Sequence, residues 1–260
     1  MTPATVEAGG VALAYEERGA GPAAVLVHGT ATARTVWRET VDALGDGVRS
    51  IAYDRRAYGD SGAPEPYGGT TVGEQADDLA ELIDALDAAP AMVFGHELGA
   101  LAALDLVVRR PELARGAVLI EPPMLWLVPD GTDAVGDLRE AVAVGAREHG
   151  AAGAVRAYLE AVGGPDVEAL LGPGRMEAAL ASPRAFAADL AAAASWSAGR
   201  REIRSIETPI ALVTGIRSSS VRRDATQALA ELLPSSRTVE LESGHFAQLE
   251  MPRELAALGV

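Results

Sequence analysis

The chain has 260 residues, 48% of them hydrophobic, and carries 22 Lys and Arg against 37 Asp and Glu, a formal net charge of −15. This is long enough for one well-buried core with room for an inserted subdomain, and the acidic balance argues against nucleic acid or an anionic membrane face as a partner. The absence of cysteine excludes disulfides, thiol nucleophiles and cysteine metal sites.

Apolar runs alternate with amphipathic stretches, the pattern of an α/β fold with a mostly parallel sheet covered on both faces. A hairpin over 5–8 and 11–16 turns at Gly9-Gly10. Strands at 23–27 and 49–53 end in His28-Gly29-Thr30 and in Asp54. A helix over 72–86 has Leu79, Leu82, Ile83 and Leu86 at helical spacing. A strand at 91–94 runs through Gly95-His96-Glu97-Leu98-Gly99 into a helix over 98–108. The next strand, 116–120, closes in Glu121-Pro122-Pro123. Later strands fall at 210–214 and 238–241, with a helix over about 224–233 between them, and a last helix spans 248–258.

Between Pro123 and Thr208 the strand signals stop. This stretch is alanine-rich and helical in character, broken at Gly163-Gly164-Pro165, Gly172-Pro173-Gly174 and Ser182-Pro183. An insertion placed after a strand's carboxyl end lies over the pocket edge of a parallel sheet. The expected division is a core of 1–123 and 208–260 with a helical lid, or cap, of 124–207. Most of the lid's large apolar residues serve ordinary helix packing, and Trp126, Tyr158 and Trp196 are taken to line a substrate pocket. No apolar run approaches the roughly 20 residues of a membrane helix, and no leader pattern opens the chain. The expectation is a cytoplasmic protein that acts on a small molecule, without a membrane or nucleic-acid partner and without a cofactor. Oligomeric state is left open.

The segments His28-Gly29-Thr30, Tyr53-Asp54-Arg55-Arg56-Ala57-Tyr58-Gly59-Asp60-Ser61-Gly62, Gly95-His96-Glu97-Leu98-Gly99 and Ser243-Gly244-His245-Phe246 follow expected strands in a fixed order. In these residues the chain resembles the α/β-hydrolases, in particular small bacterial lid-bearing members with Tyr-Asp-Arg-Arg-Gly and Glu-Pro-Pro signatures. Ala57 replaces the glycine of the first signature. The resemblance implies a nucleophile elbow at Glu97, where a serine normally stands. It implies an oxyanion hole from the backbone N–H groups of Thr30 and Leu98, and a catalytic histidine at His245. His28 and His96 match positions that are usually structural. His149, before Gly150 at an apparent helix end, suits the helix dipole, and the four histidines lack metal-ligand spacing. The usual acid after the strand 210–214 is missing, for the chain reads Gly215-Ile216-Arg217-Ser218-Ser219-Ser220. The family's alternative place holds Glu121, which is taken as the partner of His245 in preference to a carboxylate that merely satisfies backbone N–H groups.

Three chemistries are open to a glutamate at the elbow. The first in rank is proton transfer, with an apolar pocket and Glu121 raising its pKa, as suits elimination, cyclisation, isomerisation or carbon–carbon cleavage. Next is a carboxylate nucleophile, as aspartate is in related epoxide hydrolases and dehalogenases. Against it, the extra methylene threatens to overshoot the attack position, and errors near 1 Å cost about 100-fold. Leu98 stands where similar dehalogenases place a halide-binding tryptophan, which disfavours that chemistry. The third is a catalytically silent binding protein, ranked last because a bulky unpaired charge in an apolar pocket costs several kcal/mol. The lid suggests a largely apolar, uncharged or weakly charged substrate.

Overall fold

The computed structural model describes residues 3–196 and 198–259. Among them, eight strands form one sheet: β1 (Ala4–Ala8), β2 (Val11–Arg18), β3 (Ala23–Val27), β4 (Arg49–Tyr53), β5 (Ala91–His96), β6 (Ala114–Ile120), β7 (Ile210–Gly215) and β8 (Ser236–Leu241). Their spatial order is β1-β2-β4-β3-β5-β6-β7-β8. Only the β1–β2 and β2–β4 pairs are antiparallel, and β4 through β8 run parallel. The fold is therefore the α/β-hydrolase one, an eight-stranded, mostly parallel sheet flanked by helices. Gly9 and Gly10, at φ 59° and 73°, supply the two left-handed residues that a tight hairpin needs.

Period-2 alternation sorts the strand residues between two cores. Val25, Val27, Val93, Leu119 and Leu212 pack in one cluster with Leu79, Leu82 and Ile83 of α2 (Val72–Ala85) and Leu101 and Leu104 of α3 (Leu98–Arg109). Leu26, Phe94, Val118 and Val213 point the other way, towards Trp37, Phe246 and Leu255. The central strands are buried along both faces, which is why β3 and β7 read as unbroken apolar runs.

Flanking α1 (Arg38–Leu44) lies beside α9 (Ala247–Glu250) and α10 (Pro252–Ala256), while α8 (Ser220–Leu232) packs on β7 and β8. The single closing helix expected over 248–258 is thus two short ones. Pro252 begins the second, and Met251 before it sits at φ −130°, outside the helical region, as the residue before a proline tends to be. α8 starts at Ser220, about four residues before its expected start, and so takes in Arg222.

Between β6 and β7 the chain forms α4 (Gly131–Gly163), α5 (Val167–Leu180), α6 (Pro183–Ser195) and α7 (Arg200–Arg204). The breaks fall where glycine and proline stand: Gly164 caps α4 at φ 84°, Gly172 kinks α5 at φ 72°, and Pro183 opens α6. His149 and Gly150 interrupt α4 with non-helical backbone, so His149 does end a helical half. This insertion is bolted to the sheet by a buried ion pair. Arg55 Nη1 and Nη2 donate to Asp189 Oδ1 and Oδ2 of α6 at 3.1 and 2.6 Å, and the Tyr58 hydroxyl donates to Oδ2 at 2.7 Å. Both charged side chains are 0% exposed. No helix among the described residues is long and apolar enough to cross a membrane.

Candidate active site

β5 ends at His96 and α3 begins at Leu98, so Glu97 alone makes the turn, at φ 51° and ψ −116°. That backbone is sparsely populated by non-glycine residues and costs about 1–3 kcal/mol. It is held by Glu97 N donating to Ile120 O of β6 (2.9 Å) and by Ala100 N donating to Glu97 O (2.9 Å). The glycines on either side permit the approach. A Cβ on Gly99 would lie 2.4 Å from Val27 O, and one on Gly95 would lie 2.6 Å from Ala100 Cα.

Glu97 is buried, and its carboxylate folds back onto its own turn. Oε2 accepts from Thr30 N at 2.9 Å and from Leu98 N at 2.5 Å. These are the two donors expected to form an oxyanion hole, and a carboxylate oxygen fills it. The longer side chain therefore seats in the hole and does not overshoot it. The expected rise in pKa is also reversed. Burial pushes the carboxyl up, but the Thr30 backbone N–H and hydroxyl, the charge of Arg222 and the Leu98 N–H together hold it below the ordinary carboxylate value.

Glu121 follows β6 at φ 44°, one strand over from the elbow. Its Oε2 lies 2.7 Å from His245 Nδ1, with both side chains buried. Oε1 accepts from Gly215 N (3.0 Å) and from the Thr214 hydroxyl (3.2 Å) at the end of β7. A carboxylate at Nδ1 fixes that nitrogen as the N–H and leaves the Nε2 lone pair free as a base. Burial pushes Glu121 up, but the hydrogen bond and charge of His245, with Arg222, bring it down to about 2. The His96 ring lies 4.6 Å from the His245 ring, tilted at 53°, and its Nε2 donates to His245 O at 3.0 Å. Burial and the neighbouring His245 push His96 down to about 3, so it stays neutral. His28 Nδ1 donates to Gly29 O (2.8 Å) and its Nε2 accepts from Arg55 N (3.0 Å). Both histidines hold the loops together, as their positions suggested.

Tyr158, on α4, is buried near enough to Glu97 to feel its charge. Burial first, then the charge of Glu97, raises that phenol well above its usual value, so it is a neutral O–H donor. The two tryptophans are placed otherwise. Trp126 is 49% exposed and packs on Trp196 at 6.2 Å. Trp196 Nε1 donates to Asp105 Oδ1 at 3.0 Å, seven residues into α3 from Leu98 and so about 10 Å along its axis. Trp196 ties the insertion to α3 through its indole N–H, a pairing that apolar spacing alone does not reveal, and Trp126 packs on it.

The residue missed in the sequence is Arg222, 8% exposed, whose charge is felt by Glu97, Glu121 and Tyr158. A signal for it existed. Arg222, Ala225, Leu229 and Leu232 fall on one helical stripe, and a cation on an apolar stripe points inward. No group of three or more His, Asp or Glu side chains among the described residues could hold a metal ion.

The site thus offers an anchored carboxylate, a histidine with a carboxylate behind it, two N–H donors, a neutral phenol and a guanidinium. The sequence pattern of the alpha/beta hydrolase family matches residues 24–258. An epoxide hydrolase of Caballeronia sordidicola is 34% identical over 117 residues, 45% of this chain and 36% of that one. The 2-(acetamidomethylene)succinate hydrolase of Mesorhizobium japonicum is 34% identical over 116 residues, 45% of this chain and 41% of that one. The match spans less than half the length of either curated relative. A thermophilic esterase from Thermogutta terrifontis superposes with a TM-score of 0.79 at 21% identity, over 99% of this chain and 96% of that one, a likeness of fold.

Proposed function

Because the chain belongs to the alpha/beta hydrolase family, we propose that it is a hydrolase of small epoxides in which Glu97 takes the place of serine as a carboxylate nucleophile. Residues 1–123 and 208–260 are its catalytic core and 124–207 its lid. The observation that carries this reading is the seat of Glu97: one oxygen accepts from both Thr30 N and Leu98 N, and the group is ionised. An ionised, anchored carboxylate has no proton to donate and is a weak base, so proton transfer falls behind nucleophilic attack. The seated oxygen leaves its twin as the attacking atom. The similarity to an epoxide hydrolase points the same way. Leu98, in the place of a halide-binding tryptophan, does not favour dehalogenation.

In the first step the free oxygen of Glu97 bonds to an epoxide carbon, the ring C–O bond breaks, and the released alkoxide takes the proton of the Tyr158 hydroxyl. The product is a glutamyl ester whose carbonyl oxygen lies in the hole. In the second step His245 Nε2 takes a proton from water, with Glu121 stabilising the imidazolium, and hydroxide adds to the ester carbonyl. The tetrahedral oxyanion forms where Thr30 N and Leu98 N already donate, so no reorganisation is needed as charge develops. Collapse breaks the acyl C–O bond, His245 protonates the leaving alkoxide, and a diol departs. The proton left on the new carboxyl returns to Tyr158.

The bond broken in the second step determines the test. One turnover of 1,2-epoxybutane in ¹⁸O-water places a heavy oxygen on Glu97, because the ester is cleaved at its glutamyl carbonyl. Mass spectrometry of the peptide containing Glu97 is expected to show that label. Turnover without it overturns the nucleophile and returns Glu97 to proton transfer.

A further inference from the structure

Arg222 stands out from the other arginines of the interior. Arg34, Arg55 and Arg56 are each paired with a buried aspartate, Asp54, Asp189 and Asp78 respectively. Arg222 is 8% exposed, makes no ion pair among the described residues, and its Nη1 is buried without a hydrogen-bond partner. An unpaired buried guanidinium is costly. Were Arg222 present only to balance Glu97 and Glu121, contact with one of them would remove that cost, and neither is within ion-pair distance of it. Its place in the fold is specific. It sits in the first turn of α8, just past the end of β7, where Thr214 and Gly215 hold Glu121, and α8 packs against α4 and the turn Leu125–Leu127 of the insertion. From there its charge is felt by both Glu97 and Glu121, whose pKa values it lowers.

We propose that Arg222 is the anion-recognising group of this site and that the substrate carries a carboxylate beside its electrophilic carbon. This rests on the site assigned above and names its substrate class: a small epoxy acid, within the largely apolar, uncharged or weakly charged range that the lid suggests. The chemistry fits the surroundings. With a net charge of −15 and the carboxylates of Glu97 and Glu121 at the site, an anion is disfavoured there unless a local cation holds it. A planar guanidinium with a free N–H edge is the side chain that binds a carboxylate through paired hydrogen bonds. Held there, the substrate charge satisfies Nη1 and offsets the repulsion that an anion otherwise meets on approaching Glu97.

The test uses ligands that cannot react. Cyclopropanecarboxylate copies a three-membered epoxy acid without a leaving oxygen, and cyclopropanecarboxamide is its neutral counterpart. Calorimetric titration of the intact protein is expected to show the acid binding about 10- to 100-fold more tightly than the amide, the range of a charge-assisted pair. That preference collapses towards unity in Arg222→Met and is partly restored in Arg222→Lys. Equal affinities for acid and amide in the wild type overturn the proposal without recourse to any variant. An acid preference that survives in a folded Arg222→Met overturns it as well. Because nothing turns over, the outcome is independent of whether ¹⁸O enters Glu97, and either idea can fail alone.

Discussion

Removing the carboxylate of Asp189 is expected to destabilise the protein far more than an ordinary substitution. Asp189 meets Arg55 through two hydrogen bonds of 3.1 and 2.6 Å and the Tyr58 hydroxyl through a third of 2.7 Å, and neither member of the ion pair is exposed. Asp189→Ala leaves the buried Arg55 guanidinium, too basic to give up its proton, without its counter-ion. Breaking a buried pair from one side costs about 3–5 kcal/mol. At roughly 2–3 °C per kcal/mol for a chain of this size, Tm falls by about 6–15 °C. Replacing both partners, as Arg55→Met with Asp189→Leu, recovers most of that loss, because no charge is left stranded. The two properties then separate. Arg55 Nε and Nη2 also donate to His28 O and Gly29 O at 2.9 and 3.1 Å, next to the Thr30 N–H that seats Glu97. The double variant therefore regains stability but not turnover. Urea and thermal unfolding followed by circular dichroism, with product assays on the same samples, measure both quantities. A loss below about 1 kcal/mol for Asp189→Ala, or a double variant no more stable than the single one, refutes the reasoning.

Glu121→Gln keeps the shape of the acid but removes the charge behind His245, and is expected to slow ester hydrolysis by about 10²–10⁴-fold. The first step does not use His245, so the glutamyl ester accumulates and is seen as an adduct in the intact mass. Glu121 and His96 both have folded pKa values below their ordinary ones, about 2 against 4.5 and about 3 against 6.5. Their stabilisation is thus fully present above about pH 6.5 and is lost as pH falls towards 2–3. Urea midpoints should fall steadily between pH 7 and 4, and His96→Asn should flatten the upper part of that slope by up to about 1.4 kcal/mol per pH unit, one proton's worth. Ala57 occupies φ 64° where the resembling signature has glycine, so Ala57→Gly relieves a strained backbone and raises stability by up to about 1 kcal/mol in chemical denaturation.

The layout of the sheet was legible because apolar runs bounded by glycine and proline leave few alternatives, and β3 and β4 begin and end at the expected residues. The assignment of Glu121 as the acid followed from what the turn after β7 lacks, and the structure puts it on His245. The protonation state of Glu97 could not be read in the same way. Local composition around it is apolar, and one of the donors that ionise it comes from Thr30, 67 positions away. A pocket judged by its apolar lining suggests a raised pKa, whereas two N–H groups at hydrogen-bonding distance lower it. Arg222 escaped notice because its helix was started two residues after it, which removed it from the stripe it shares with Ala225 and Leu229. Aromatic size suggests a pocket wall for Trp126 and Trp196, whereas the structure shows Trp196 Nε1 paired with Asp105 and Trp126 half-exposed.

The place of the acid has a consequence for how this protein can change. Glu121, just after β6, is the carboxylate on His245, and the turn after β7 contributes its Gly215 N–H and Thr214 hydroxyl to that carboxylate. Residues 216–219 join β7 to α8, and that stretch sets where α8 begins. Inserting or deleting one residue between Arg222 and Ala225 shifts Arg222 by about 100° around α8 and presents a different side chain in its place. With Arg222 as the proposed substrate-reading group, selectivity follows β7 and the acid of the His245–Glu121 pair follows β6, so the two can be altered separately and this turn is the place to redirect substrate choice.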